Sequence, residues 1–329
     1  MHKMAERSGM LTCRSLSVGD LNEGLSLWTG CAGDEIVGRE RARAAWYRLL
    51  SMRAFGGAVV ETEPRVDGRR LVGIGAAVFV TQAFADQEVA EPQPGLNARI
   101  ISSLEGGQPA VLSERQLQAG NTQGGLDLVI LCASVEQAVS PDSVAKIESL
   151  MAAAFFRIFA GWRFRRLIRE GVGLGALAHI ESQRIFGSRD NFDNFHRERP
   201  ENAWSRDRAL FTCTKEHALA TPGSIASILF GYREPMLGLS YHEQELLGAA
   251  VAGLTDEELT RTLGLKLPAV KKRWASAFDH IAAMKPDLLP EGLSNSGVRG
   301  PQKRHRLLNY IREHPEELRP VLRRRKVVL

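Results

Sequence analysis

The chain has 329 residues, 44% of them hydrophobic and 25% charged, which is ordinary for a soluble globular protein and long enough for two domains with a core each. No apolar run approaches the roughly 20 residues that span a bilayer, and the opening seven residues are not followed by the apolar core of a signal peptide. The expectation is a cytoplasmic protein with no membrane partner.

The net charge of +5 is carried by the end of the chain: from Leu239 onward there are 16 Lys and Arg against 11 Asp and Glu, and before it 27 against 27. A localised basic end can neutralise phosphates without sequence preference, though a solvated surface has the same composition. Cys13, Cys31, Cys132 and Cys213 lie far apart and form no CxxC pair, so reduced thiols are expected rather than a disulfide framework or a zinc site.

In chain order, residues 11 to 15 (LTCRS) alternate like a short strand, and Asp20 to Leu27 carries leucines at helical spacing. Arg39 to Met52 is a second helix, with Trp46, Leu49 and Leu50 on its apolar side. Gly57 to Thr62 and Leu71 to Val80 are strands joined through Val66-Asp67-Gly68, where Asp-Gly marks a hairpin. Glu91 to Gly125 reads as an irregular excursion around the apolar Ala98 to Leu104, and Leu126 to Ala133 as a buried strand.

Ser140-Pro141-Asp142 starts a helix that is apolar around most of its circumference through Phe159, with Phe155, Phe156 and Phe159 expected in the core. Arg163 to Arg169 is expected as an amphipathic helix closed by Gly171, Gly173 and Gly175. Asn191 to Gly238, polar and with prolines at 200, 222 and 235, reads as a connector with a helix near Ser224 to Phe230. Asp190, Asp193 and His196 have a spacing that suits a metal, but in such a stretch they are expected as turn formers.

The segment Leu239 to Ile281 is punctuated more sharply. Ser240 with Glu243, and Thr255 with Glu258, form two capping boxes. Gly253 and Gly264 supply turns, and Pro268 stands at a first helical position. Val270, Trp274, Ala277, Phe278 and Ile281 bury one face of the third helix, and Lys271, Lys272 and Arg273 mark the other. A short helix, a turn and a longer cationic helix suit a recognition helix in a major groove.

With Leu239, Glu245, Leu247, Leu254, Leu259, Leu263 and Leu265 added, the segment resembles the DNA-binding domain of LuxR-type regulators. The resemblance implies a four-helix unit that binds double-stranded DNA as a homodimer through its third helix. Lys266 and Ala269 depart from the family's Ser and Thr, and Arg273 from a common His, so the DNA-binding residues are expected as a cationic surface of Lys266, Lys271, Lys272 and Arg273.

The opening strand, helix, helix and hairpin are similar to the start of the GNAT acetyltransferases. That family binds a coenzyme A pyrophosphate on a Q/R-x-x-G-x-G/A loop after its fourth strand. Here Leu126 to Ala133 runs into Ser134-Val135-Glu136-Gln137, and Glu170-x-x-Gly173-x-Gly175 begins with a carboxylate. No P-loop and no Ser-His-Asp or Cys-His constellation is defined, so no catalytic, cofactor or metal residues are named.

The sequence reading is an α+β protein: a mixed α/β, GNAT-like sensory or dimerising domain at 1–190, a connector at 191–238, an all-α LuxR-type helix-turn-helix domain at 239–285, and a basic helical tail at 286–329. Its leading function is a non-enzymatic transcription regulator with room for a small-molecule effector. The alternative is an acyl-CoA-dependent acyltransferase with a nucleic-acid-binding appendage. A strand splayed from its neighbour beside an ordered anion loop after Leu126 to Ala133 favours the enzyme, and a closed or filled groove removes it.

Overall fold

The structure is a computed structural model that describes residues 10–27, 38–66, 68–107, 109–201, 206–289 and 299–321. The chain forms two compact units, Met1–Phe230 and Gly231–Leu329.

The first unit is built on seven strands: β1 (Met10–Ser15), β2 (Phe55–Val66), β3 (Arg69–Val80), β4 (Leu126–Val135), β5 (Phe164–Val172), β6 (Ser188–Asp190) and β7 (Arg208–Thr214). Its helices are α1 (Leu21–Leu27), α2 (Arg39–Leu50), α3 (Gln82–Ala90), α4 (Leu96–Glu105), α5 (Glu114–Thr122), α6 (Pro141–Phe159), α7 (Leu174–Ser182), α8 (Asp193–Glu198), α9 (Lys215–Ala220) and α10 (Ile225–Phe230). The strands form one sheet in the order β1-β2-β3-β4-β5-β7-β6. All neighbours are antiparallel except β4 and β5, which are parallel. A parallel pair needs a long crossover, and α6 supplies it, started by Ser140, whose hydroxyl accepts from the Ser143 amide.

Val59, Leu71, Ile74 and Val78 of the sheet share one core with Trp46 and Leu49 of α2. On the other face α6 lies close to β2 and β3 because glycines leave room. A Cβ on Gly56 would stand 2.4 Å from a methyl of Ile158, and one on Gly73 2.6 Å from a methyl of Ile147.

The first unit is thus a mixed α/β sheet, four antiparallel strands followed by a parallel one reached through a helix, within the expected α+β class. Several local expectations change. Arg163 to Arg169 lies in or beside β5 rather than forming a helix: Phe164, Leu167 and Ile168 are buried, and Arg165 and Arg166 both pair with Asp127 of β4 across an irregularity in the register. Three buried apolar positions suit either period, and neighbours on both edges decide for the strand.

The excursion from Glu91 to Gly125 contains α4 and α5, the latter started by a capping box of Ser113 and Gln116. Residues 191 to 230 are no connector, because β7 lies inside the sheet with every residue from Arg208 to Cys213 buried. Asp190 acts as a turn former, accepting the Phe192 amide at 2.6 Å, and no group of metal-ligating residues occurs among the described residues. Asp67 of the hairpin lies outside the described residues, as does Cys31.

The second unit is all-α: α11 (Tyr241–Val251), α12 (Asp256–Leu263), α13 (Leu267–Met284) and α14 (Arg299–Glu313). Both expected capping boxes are formed, and Gly264 closes α12 in the left-handed conformation at φ 63°. Leu246, Leu247, Leu259, Val270, Trp274 and Ile281 share one core with Leu307 and Ile311 of α14. Residues 286–289 and 299–321 are therefore part of this unit rather than a separate tail. Glu317, 1% exposed, accepts the amides of Met236 and Leu237 and ties the start of this unit to its end. After α14 a single turn follows at Pro315–Leu318, and the basic run Arg323 to Lys326 lies outside the described residues. Among the described residues no helix is long and apolar enough to cross a membrane.

Candidate functional site

The parallel pairing of β5 with β4 ends at Ile130↔Arg169, whereas its pairing with β7 runs on to Val172↔Arg208. From there β4 continues to Val135 with, among the described residues, no strand beside it on that edge. The parting coincides with a bulge, because Ala76 pairs with Cys132 and Ala77 with Ile130, leaving Leu131 as the extra residue. Bulges concentrate beside active sites because they end pairing and re-aim the chain.

The start of α4 fastens both strands at the parting. Asn97 donates through Nδ2 to the Leu131 carbonyl of β4 at 2.8 Å. Glu170 of β5 accepts the Gly95 and Leu96 amides at 2.9 and 2.7 Å, a favourable place for a carboxylate at a helix N-terminus. Arg208 lies 3.3 Å from the same carboxylate, and both side chains are more than nine-tenths buried. Glu170 is thus a structural anchor, not the first member of a phosphate loop, and Gly173 precedes α7 at φ 87°.

On the opposite side of the sheet the parting opens into a cleft of about 280 Å³, near the lower end of the ~300–1,000 Å³ typical of small-molecule sites. Ile130, Cys132 and Leu167 from the strands face it, together with Met151, Phe155 and Phe156 of α6. Its polar lining is Glu148, Arg169, His179 and Gln183. His179 Nε2 stands 3.3 Å from a Glu148 carboxylate oxygen and 2.9 Å from Gln183 Nε2. A neutral imidazole accepts there from the Gln183 amide, and a protonated one donates there to Glu148. The ring has a partner in either protonation state, which suits a group that takes up and returns a proton.

Phe155 and Phe156 are half-buried cleft walls rather than core. Glu148, His179 and Gln183 escaped notice because α6 and α7 meet only in the fold. The available signal was the carboxylate of Glu148 in an otherwise apolar helical stripe with Met151, Ala152, Phe155, Phe156 and Phe159. The four expected DNA-binding residues lie in the second unit. Lys266, Lys271 and Lys272 are exposed at and after the start of α13. Arg273 instead leans toward Glu245 at 3.8 Å and is only 25% exposed, so it is not part of that outward surface.

No family model matches the chain, and no curated protein matches it. It is similar to solved structures at low identity. A variant of the SpeG spermidine N-acetyltransferase from Vibrio cholerae is 11% identical, with 62% of this chain and 93% of that one covered and a TM-score of 0.36. FeeM, an N-acyl amino acid synthase from uncultured soil microbes, is 10% identical over 66% of this chain and 97% of that one, with a TM-score of 0.33. The C-terminal condensation domain of Ebony in complex with beta-alanyl-dopamine is 11% identical over 63% of this chain and 99% of that one, with a TM-score of 0.36.

These findings correct the functional expectation. The structures named above are an N-acetyltransferase, an N-acyl amino acid synthase and a condensation domain, none of them a transcription regulator, and nothing in the comparisons shows a LuxR-type domain. Of the two marks that favour the enzyme, the splayed strand is present in the chain's own sheet, while Ser134 to Gln137 after β4 has no glycine-rich anion loop. Transcription regulation, with DNA binding and a helix-turn-helix as the marks of the whole protein, gives way, as does the expectation of no enzymatic activity.

Proposed function

We propose that the first unit is an acyl-CoA-dependent acyltransferase that moves an acyl group from a thioester to an amine. The observation that carries this reading is the cleft at the parting of β4 and β5, with the bulged edge of β4 on one side and the Glu148–His179 pair in its lining.

In the reaction the lone pair of the neutral amine attacks the thioester carbonyl carbon, forming the C–N bond and a tetrahedral oxyanion. His179 takes the proton that the nitrogen sheds, and Glu148 stabilises the resulting imidazolium. The oxyanion collapses, the C–S bond breaks, and the thiolate leaves and receives the proton from His179. The products are an amide and free coenzyme A thiol. Backbone amides on the β4 edge beyond Ile130 are placed to hold the developing oxyanion, because β5 no longer pairs with that edge. The loop after β4, Ser134 to Gln137, lacks the family's glycines, so donor binding rests on the cleft more than on a pyrophosphate grip.

The test is thiol release by the intact protein from a panel of acyl-CoA donors with amino acids, polyamines and aryl amines as acceptors. Amine-dependent release that is lost in His179→Ala supports the reading. Release no faster than without protein across the panel, or equal in His179→Ala, removes it.

For the second unit we propose a helix-turn-helix arrangement on the LuxR-type plan, serving as a double-stranded DNA-binding appendage of a homodimeric enzyme. The left-handed turn at Gly264 and the exposed Lys266, Lys271 and Lys272 that follow favour it. Affinity for random-sequence duplex should fall steeply with salt, with a shallower slope in Lys271→Ala, Lys272→Ala. An unchanged slope removes these lysines from the interface.

A further inference from the structure

The cleft is larger and more apolar than an acetyl group needs. We infer that it is a chain subsite: it takes the unbranched aliphatic tail of a medium- or long-chain acyl group, laid along α6 with the reacting carbonyl at the Glu148 end. This inference rests on the proposed acyl transfer.

Three features of the cleft carry it. First, the lining of α6 is one continuous stripe, Glu148, Met151, Ala152, Phe155, Phe156 and Phe159, at helical spacings of three and four. At a rise of 1.5 Å per residue the stripe runs about 16 Å, a length matched by an extended chain rather than by a two-carbon group. Second, the floor is made of small residues. Gly75, Ala76 and Ala133 line the space, so little side-chain bulk rises from that wall. Side chains that would ordinarily fill such a groove are missing, so a ligand chain can lie in their place.

Third, the two ends of the stripe differ in chemistry. At one, Glu148, His179 and Gln183 cluster together. At the other, Phe155 packs on Phe159 at 4.9 Å between ring centres, and Phe159 on Phe79 at 5.8 Å, behind which Trp162 lies tilted at 5.1 Å. A polar head with an aromatic far end is complementary to a molecule with a carbonyl head and a hydrocarbon tail. Each methylene buried there should strengthen binding about fourfold, the equivalent of ~0.8 kcal/mol.

The experiment measures binding apart from turnover. Straight-chain fatty acids of four to twelve carbons, and acyl-CoA thioesters of two to twelve, are titrated calorimetrically below their aggregation limits into the intact protein. Ala152→Trp and Ala133→Phe serve as cleft-narrowing variants. Both alanines line the cleft at solvent-exposed positions, so either bulky side chain can be carried without disturbing the core. The expected result is one site per chain, affinity that climbs with chain length in both series, and a loss of at least tenfold for the twelve-carbon ligands in both folded variants, with the two-carbon thioester unaffected in Ala152→Trp. Affinity independent of chain length, or long-chain binding untouched by both variants, overturns the inference even if acetyl transfer is found. Long-chain fatty acid binding that is lost in the variants, without thiol release from any donor, would keep the subsite and remove the acyltransferase.

Discussion

β5 treats its two neighbours differently. Toward β7 it is hydrogen-bonded along its length, and over that edge Leu177 and Ile180 of α7 pack on Phe211 with no room to spare: a Cβ on Gly171 would meet Leu177 at 2.6 Å. Toward β4 the ladder stops at Arg169, and beyond that point α4 supplies fastenings to the two strands, Asn97 to β4 and Glu170 to α4 from β5. A sealed edge holds the sheet together but cannot admit a ligand. An unsealed edge can, provided that something other than a ladder keeps the strands in place. Substitutions at the fastenings should therefore cost stability, and substitutions at the cleft should cost chemistry.

The largest effect is expected at Glu170. Glu170→Ala takes one carboxylate from the buried Arg208 guanidinium and the acceptor from both the Gly95 and Leu96 amides, a loss of about 3–5 kcal/mol. Glu170→Gln keeps one carbonyl for the amides and should lose less. Urea unfolding of the two variants reads the difference. A loss below about 1 kcal/mol in Glu170→Ala would mean that the parting is held by something else.

The two units also differ in how far the sequence disclosed them. In the second, structure is local: Ser240 with Glu243 and Thr255 with Glu258 each place both halves of a capping box within one turn, and Gly264 marks the bend at its own position. In the first, the deciding partners are distant. Arg163 to Arg169 carries a pattern that fits a helix until β4 and β7 stand beside it, and 208–214, in a stretch read as connector, proves to be a central strand. The fold class, the opening elements and the β4 strand were open to sequence reasoning. The cleft was not, because it is defined by where a ladder ends, and ladder length leaves no mark on either strand alone. Glu148 and His179 meet only through the crossover helix and the helix after β5.

At the unsealed edge, His179→Ala should lower kcat by about 10²-fold or more, as expected for loss of a general base. Unfolding should barely change, since the imidazole is 45% exposed. Glu148→Gln should lower kcat less, because it keeps a polar neighbour but not the charge that stabilises the imidazolium. A stability loss in His179→Ala that matches its rate loss would move the residue from chemistry to scaffolding. Asn97→Ala lies between the two classes: it strips the Leu131 carbonyl of its donor at the parting, with an expected cost of about 1–3 kcal/mol in unfolding and a further fall in rate as β4 loses its register.

The smallest effect compares two cysteines that are equally hidden by area. Cys213 is on β7 at the sealed edge, 0% exposed, and burial pushes its thiol up to about 11. Cys132 is on β4 beyond the parting, 3% exposed, and borders the cleft. Alkylation follows the thiolate, so the Cys213 rate should still be climbing between pH 9 and 10.5, where an unperturbed thiol with a pKa near 8.5 has levelled off. In a Cys13→Ser, Cys31→Ser background, a small alkylating reagent at pH 8 should reach Cys132 first, because the cleft gives it a path that the packed side of β7 denies to Cys213. A long-chain ligand should slow Cys132 and leave Cys213 unchanged. Equal rates for the two thiols would show that the edges of β5 open alike, and the distinction between a fastened parting and a sealed ladder would fall with them.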